Sequence, residues 1–236
     1  MTSLAVLLTA VALLMLAGSG PLYRMSLLGL AGAFGLMKWG LYVGLGALVM
    51  AVLAVIVAAT RGSGMATALV ALVAILLVLA IPAMLLRRAS RVPRIHDITT
   101  DTDNPPAFVA VVPLRAGTPN TVEYGGPALA AQQRQGYPDL APLPLGVPMS
   151  QAFDRALAAA RRMGWEIVAS DPGSGRIEAT DTTAWFGFKD DIVVRIAAMP
   201  GGSRVDVRSV SRVGLSDIGT NAARIRKYLS ELKAAS

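Results

Sequence analysis

The first 86 residues contain no Asp or Glu and only three basic residues, Arg24, Lys38 and Arg61. A water-soluble domain draws about a quarter of its residues from the charged types. A stretch this long with so few charges has no means of covering an aqueous surface. Residues 87–236 carry the other 19 basic and all 15 acidic residues. The chain is therefore predicted to be a membrane region followed by a water-soluble domain.

Three uncharged stretches, 1–23, 39–60 and 62–86, are long enough to cross a bilayer. A helix of 22 residues reaches about 33 Å, against a hydrocarbon core of about 30 Å. The expected spans are residues 3–22, 40–60 and 65–86, within a membrane region of residues 1–90. Arg61-Gly62-Ser63-Gly64 reads as the turn of an antiparallel hairpin. The first stretch lacks the basic leader of a cleavable signal, so an uncleaved span is favoured. Residues 25–37 are too short to cross comfortably, and an interfacial or re-entrant helix is expected there, with a fourth span as the alternative. Gly40 and Gly44 form a GxxxG pair, suited to close packing within the chain or to a homo-oligomer. No ionisable residue sits deep in a span, which argues against a channel or a transporter.

The formal net charge is +7. Three of the excess positive charges lie in the apolar third, and Arg87, Arg88, Arg91 and Arg94 follow it directly. From residue 95 onward there are 15 basic and 15 acidic residues, so the soluble part is neutral and nucleic acid is excluded as a partner. With three spans, Arg24, Lys38 and the four arginines share one side, and Arg61 stands alone on the other. That bias places the soluble domain in the cytoplasm. Membrane lipids are one expected partner; a membrane-protein partner or a second copy of the chain is another.

Nine of the 14 prolines fall between residues 105 and 148. This segment, residues 91–148, also carries Phe108, Val109, Val111, Val112, Leu114, Tyr124 and Tyr137, which need burial. It is expected to pack on the domain behind it, over an edge or the face opposite the helices. A short strand is predicted at 108–114 and a helical turn at 127–135. The domain proper, residues 149–236, reads α-β-β-β-β-α. A helix runs to Gly164. Strands follow at 165–170, 176–183, 191–199 and 204–213, and a helix at 217–234 with Ser216 as its N-cap. The predicted class is α+β: N-terminal transmembrane helices, then an antiparallel sheet with both helices on one face.

A four-residue turn at 200–203 sets a predicted register for the last hairpin. It places Ile196 opposite Val207, Asp191 opposite Arg212, and Arg195 opposite Arg208, with Asp206 diagonal to Arg195. Two facing arginines repel unless an anion lies between them. Glu178 on the neighbouring strand supplies one in a purely structural ladder on a solvated face. A bound phosphate or carboxylate is the functional alternative, with Asp190, Asp191, Asp217 and Asn221 at its edge. His96 is the only histidine, and with Asp97 it forms the second polar cluster. No serine sits in a nucleophile elbow, and Asp97, Asp101 and Asp103 lack the glycine and distal glutamate of a calcium loop. The candidate ligand-binding set is thus Arg195, Arg208, Arg212, Asp191, Asp206, Asp217, Asn221, His96 and Asp97. No catalytic residue, metal site or cofactor is expected. With no cysteine, thiolate catalysis and Cys-ligated metals are excluded. Trp185-Phe186-Gly187-Phe188 is expected to close the core, with lipid or an apolar ligand as the second reading.

Along the soluble part run Arg94-Ile-His-Asp-Ile-Thr-Thr-Asp101, Asn104-Pro-Pro-Ala-Phe108, Tyr137-Pro138, Arg176-Ile-Glu-Ala-Thr180, Phe186-Gly-Phe-Lys-Asp-Asp191, Asp206-Val-Arg-Ser-Val-Ser-Arg-Val-Gly214 and Asp217-Ile-Gly-Thr-Asn-Ala-Ala-Arg-Ile225. In their order these motifs resemble the bacterial and plastid domain-of-unknown-function family 1499. The resemblance spans about residues 95–232 and implies no particular activity, cofactor or substrate. It implies a periplasmic or lumenal domain, against the charge bias. The functional expectation is a multi-pass protein of the bacterial inner membrane. Its domain is read as a non-enzymatic envelope module that binds a protein, an anionic ligand or a lipid. The alternative is a membrane-tethered, hydrolase-like enzyme using His96, Asp97 and the Arg195/Arg208 face.

Overall fold

The computed structural model describes residues 1–234, which divide into two units. The first comprises Met1–Arg87 with Ala184–Gly187. Its helices are α1 (Thr2–Arg24), α2 (Leu30–Arg61) and α3 (Met65–Ala89), and each is long and apolar enough to cross a membrane. No re-entrant helix separates the first two. Residues expected to lie at an interface begin α2 instead, which runs unbroken for 32 residues, about 48 Å. Nothing in residues 30–40 stops a helix, since the segment holds no proline and its glycines cost only about 1 kcal/mol each. Small residues let α1 and α2 approach: Ala5 and Ala12 from one, Gly40, Gly44 and Ala47 from the other, all buried. A Cβ on Gly40 would come within 3.0 Å of Met15, and one on Gly44 within 2.8 Å of Leu79, so the GxxxG pair serves packing within the chain.

Residues 185 and 186 do not close the core of the sheet. They pack on α1 and α2. Pro21 lies inside α1 and has no N–H, so the Ala17 carbonyl lacks its helical donor. The Trp185 indole N–H donates to that carbonyl at 3.2 Å. Phe186 stacks at a tilt on Tyr23 and Phe34, and Arg24 donates to the Ala184 carbonyl.

The second unit is an α+β domain. It contains β1 (Asp97–Thr99), a 3-10 turn (Val112–Arg115), α4 (Gly126–Gly136), β2 (Leu143–Leu145), α5 (Met149–Arg162), β3 (Glu166–Asp171), β4 (Arg176–Thr182), β5 (Lys189–Met199), β6 (Gly202–Ser211) and α6 (Thr220–Ala234). The sheet order is β1-β6-β5-β4-β3, all antiparallel, with β2 also on β6. The four long strands are those that alternation predicts. The two three-residue strands, too short to show a period, come from the proline-rich segment and cover the outer edge of β6. The Gln133 side chain finishes that edge: its Nε2 donates to the Thr99 carbonyl and its Oε1 accepts the Thr99 N–H.

One face of the sheet meets α5 and α6. Ile177, Ile192, Val194, Ile196, Val205 and Val207 pack there with Phe153, Ile225 and Tyr228. The other face is covered by the strap formed by residues 101–124. The predicted strand at 108–114 is absent. Pro113 has no N–H for a ladder, and the N–H groups of Val109 and Val111 are taken by a side chain instead.

The last hairpin turns through Pro200 and Gly201 alone, with Met199 paired to Gly202. Gly201 adopts φ +80°, and a proline before it presets the bend. This turn is two residues shorter than the sequence reading assumed, so every partner shifts by two. Ile196 pairs with Val205, Arg195 with Asp206, Val193 with Arg208, and Asp191 with Val210. A shift of two preserves the faces. It removes the opposition of Arg195 to Arg208.

Candidate functional site

The polar side chains singled out in the sequence lie mainly under the strap, and they face protein rather than water. Arg208 is buried and makes a two-pronged pair with Asp97, Nε to Oδ1 at 2.9 Å and Nη2 to Oδ2 at 2.8 Å. It also donates to the carbonyls of Pro106 and Val122. Phe108 and Tyr124 sandwich the guanidinium at 5.2 and 5.4 Å from their ring centres. Burial, with the Asp97 charge beside it, pushes the Tyr124 hydroxyl up to about 12.

Asp191, fully buried, is held by two arginines. Arg115 from the 3-10 turn reaches Oδ2 at 2.6 Å, and Arg212 spans both oxygens at 2.9 and 2.8 Å. Thr180 donates to Oδ1 at 2.7 Å. Burial alone raises the Asp191 carboxyl, but the bonds from Arg212, Thr180 and Arg115 outweigh it and hold it below the usual range. Glu178, also fully buried, accepts the strap N–H groups of Val109 at 3.0 Å and Val111 at 3.0 Å, and pairs with Arg176.

Arg195 and Asp206 form a pair at 2.8 Å, extended by Asp101 and Arg204 at the sheet margin. The sequence reading expected this charged ladder to be solvated. Asp206, Asp191, Glu178 and Arg208 are instead sealed from water by the strap.

Asp217 and Asn221 serve α6. Asp217 accepts the N–H of Gly219 at 2.8 Å and of Asn221 at 2.7 Å, so it caps the helix in place of Ser216. Ser216 bonds one step early, to the Ile218 N–H. Burial raises the Asp217 carboxyl above its ordinary value, and those two N–H groups offset this only in part. Ile218 between them is held at φ +53°, which costs a β-branched residue about 1–3 kcal/mol. Asn221 ties α6 to the residue before β1 and to β6 through the His96 carbonyl and Ser211.

Sequence reasoning missed Arg115 and Arg224. Arg224 reaches from α6 between Asp181 and Asp190, two carboxylates directly opposite on β4 and β5, at 2.7 and 2.6 Å. Without that cation the pair would repel. Arg115 carried a signal: it is the only charge between residues 105 and 122, amid apolar side chains.

His96 lies elsewhere. Half-buried, it faces an open cleft of about 720 Å³ with Arg94, Asp97, Glu123, Gln132 and Leu215. His96 and Asp97 thus share a concave surface, while Asp191, Arg208 and Arg212 are not among its lining residues. No group of acidic or imidazole side chains with metal-ligand geometry occurs among the described residues.

Residues 97–232 match the family described as a protein of unknown function (DUF1499). The chain belongs to this family. No curated protein matches it. The DUF1499 match opens on Asp97, the partner of Arg208, and closes at Leu232 in the last turn of α6. It therefore takes in the strap and every buried ion pair beneath it.

Proposed function

We propose that this DUF1499 protein is a membrane-anchored binding protein, whose soluble domain receives a ligand or a partner in the cleft beside His96. Support for the anchor is the length and composition of the three apolar helices. Support for binding without chemistry is the state of the charged groups. Asp97, the carboxylate next to the only histidine, has both oxygens engaged by Arg208 and no freedom to act as a base. The observation that carries the reading is this contrast. Among the candidate residues the arginines are spent inside the domain, and His96 faces an open cleft of mixed polar and apolar lining.

The charge distribution supports a cytoplasmic soluble domain. The turn after α1 and the segment after α3 lie on one side of a three-span region and hold Arg24, Arg87, Arg88, Arg91 and Arg94; the turn at 62–64 is flanked by Arg61 alone. A reporter active only in the periplasm, fused after Ser236, is expected to stay silent; activity would overturn this side. For the cleft, membranes are solubilised and the protein is purified as wild type and as Thr121→Trp, which fills the cleft from an exposed position. Co-purifying species are expected to be lost from the variant. An identical set from both would remove the cleft from the account.

A further inference from the structure

The strap's exterior differs from the rest of the domain surface. Between residues 105 and 122 the one charge, Arg115, is turned inward onto Asp191. What the strap offers outward is apolar: Val109 is 54% exposed, Val112 42% and Leu114 52%. Leu215 is 72% exposed and adjoins the strap's far end, where Asn120 donates to the Gly214 carbonyl. A charge-free patch of this kind on a soluble domain marks a contact surface.

Arg212 donates to the Leu114 carbonyl at 3.1 Å, and its backbone N–H bonds the Lys189 carbonyl at 3.0 Å. The patch therefore sits at the end of the sheet where the chain leaves β4 and enters β5. The residues between, Ala184–Gly187, group with the apolar helices. That segment joins the chain of the sheet at this end, following Thr183 and preceding Phe188. Arg87, Arg88, Arg91, Arg94 and Lys189 are all exposed and supply the positive charge that an anionic headgroup layer attracts.

We propose that the strap is a second membrane contact: Val109, Val112 and Leu114, flanked by Leu215, enter the interfacial layer of the bilayer that holds the helices. The inference rests on the membrane-anchored reading above. Tethering makes the contact intramolecular in effect, so a few apolar side chains suffice. A lipid surface fits better than a protein partner because the patch presents no charged side chain to choose among partners.

The chain has no cysteine, so single-cysteine variants label cleanly. The full-length protein is placed one copy per nanodisc, and Val112→Cys, Leu114→Cys, Val73→Cys and Ser174→Cys are each given an environment-sensitive fluorophore. Lipids brominated near the top of the acyl chain then serve as quenchers. Val73 lies in α3, and Ser174 lies in the turn at the opposite end of the sheet. Loss of fluorescence is expected at Val73, Val112 and Leu114, and none at Ser174. Quenching at Val73 without quenching at Val112 and Leu114 overturns the strap contact and leaves the anchor standing. No quenching at Val73 overturns both. A blue shift at Val112 or Leu114 that bromine does not quench marks a protein neighbour and also overturns it.

Discussion

On one face of the sheet Ile192, Val194 and Ile196 lie against Phe153, Ile225 and Tyr228; on the other, Glu178, Asp191 and Arg208 are just as buried, against an irregular strap. The difference follows from what covers each face. A helix satisfies its own backbone, so it asks only for apolar contact from the strands beneath. A strap with almost no regular structure arrives with unpaired N–H and C=O groups, and each costs free energy if buried alone. The face below must supply the partners. Glu178 accepts two strap N–H groups, Arg208 donates to two strap carbonyls, and Arg212 donates to a third. The charges there are fasteners for backbone.

Cutting a fastener is expected to have the largest effect on stability. Asp97→Ala strands the buried Arg208 and is expected to cost about 3–5 kcal/mol in urea unfolding. Asp97→Leu combined with Arg208→Met removes both charges and is expected to recover much of that loss. If the double variant is as weak as the single one, the strap carbonyls depend on Arg208 more than Asp97 does. Next, Glu178→Gln keeps the shape but weakens the acceptor for Val109 and Val111. It is expected to cost about 1–3 kcal/mol by the same measurement.

Acid acts in opposite senses on the strap face and on the start of α6. The Asp191 carboxyl is held low, so its contribution is complete above the ordinary carboxylate value of about 4 and is lost as pH falls through the depressed one. Asp217 is held high; its ionised form weakens the fold at neutral pH, and that penalty lifts as pH falls toward the raised value. Melting curves are therefore expected to show a small gain on mild acidification and a steep loss below about pH 4. Asp217→Asn should abolish the gain and keep the loss. Smallest of all, Ile192→Val on the helix face is expected to cost only about 0.5–1.5 kcal/mol, since it removes one methylene from a core that can settle.

Sequence alone gave one face and not the other, for a physical reason. Alternation at Ile192, Val194 and Ile196 and the helical spacing of Ala222, Ile225, Leu229 and Leu232 report apolar burial directly. Buried charge leaves no such period, and Arg208 or Asp191 looks the same in sequence whether wet or dry. The hairpin failed on its turn: four polar and small residues fit either a four-residue or a two-residue loop, and only the φ of Gly201 decides. The strands at 97–99 and 143–145 are set by the open edge of β6, a tertiary fact. Among the apolar helices, Lys38 suggested a boundary that α2 crosses unbroken, because one cation near a helix end does not terminate it.

Amide hydrogen exchange at Val109 and Val111 tests the account most directly. If their N–H groups are buried on the Glu178 carboxylate, they are expected to exchange as slowly as the central residues of β5, and markedly faster in Glu178→Gln. Exchange at the rate of an open loop, unchanged by that substitution, would contradict a strap fastened by buried charge.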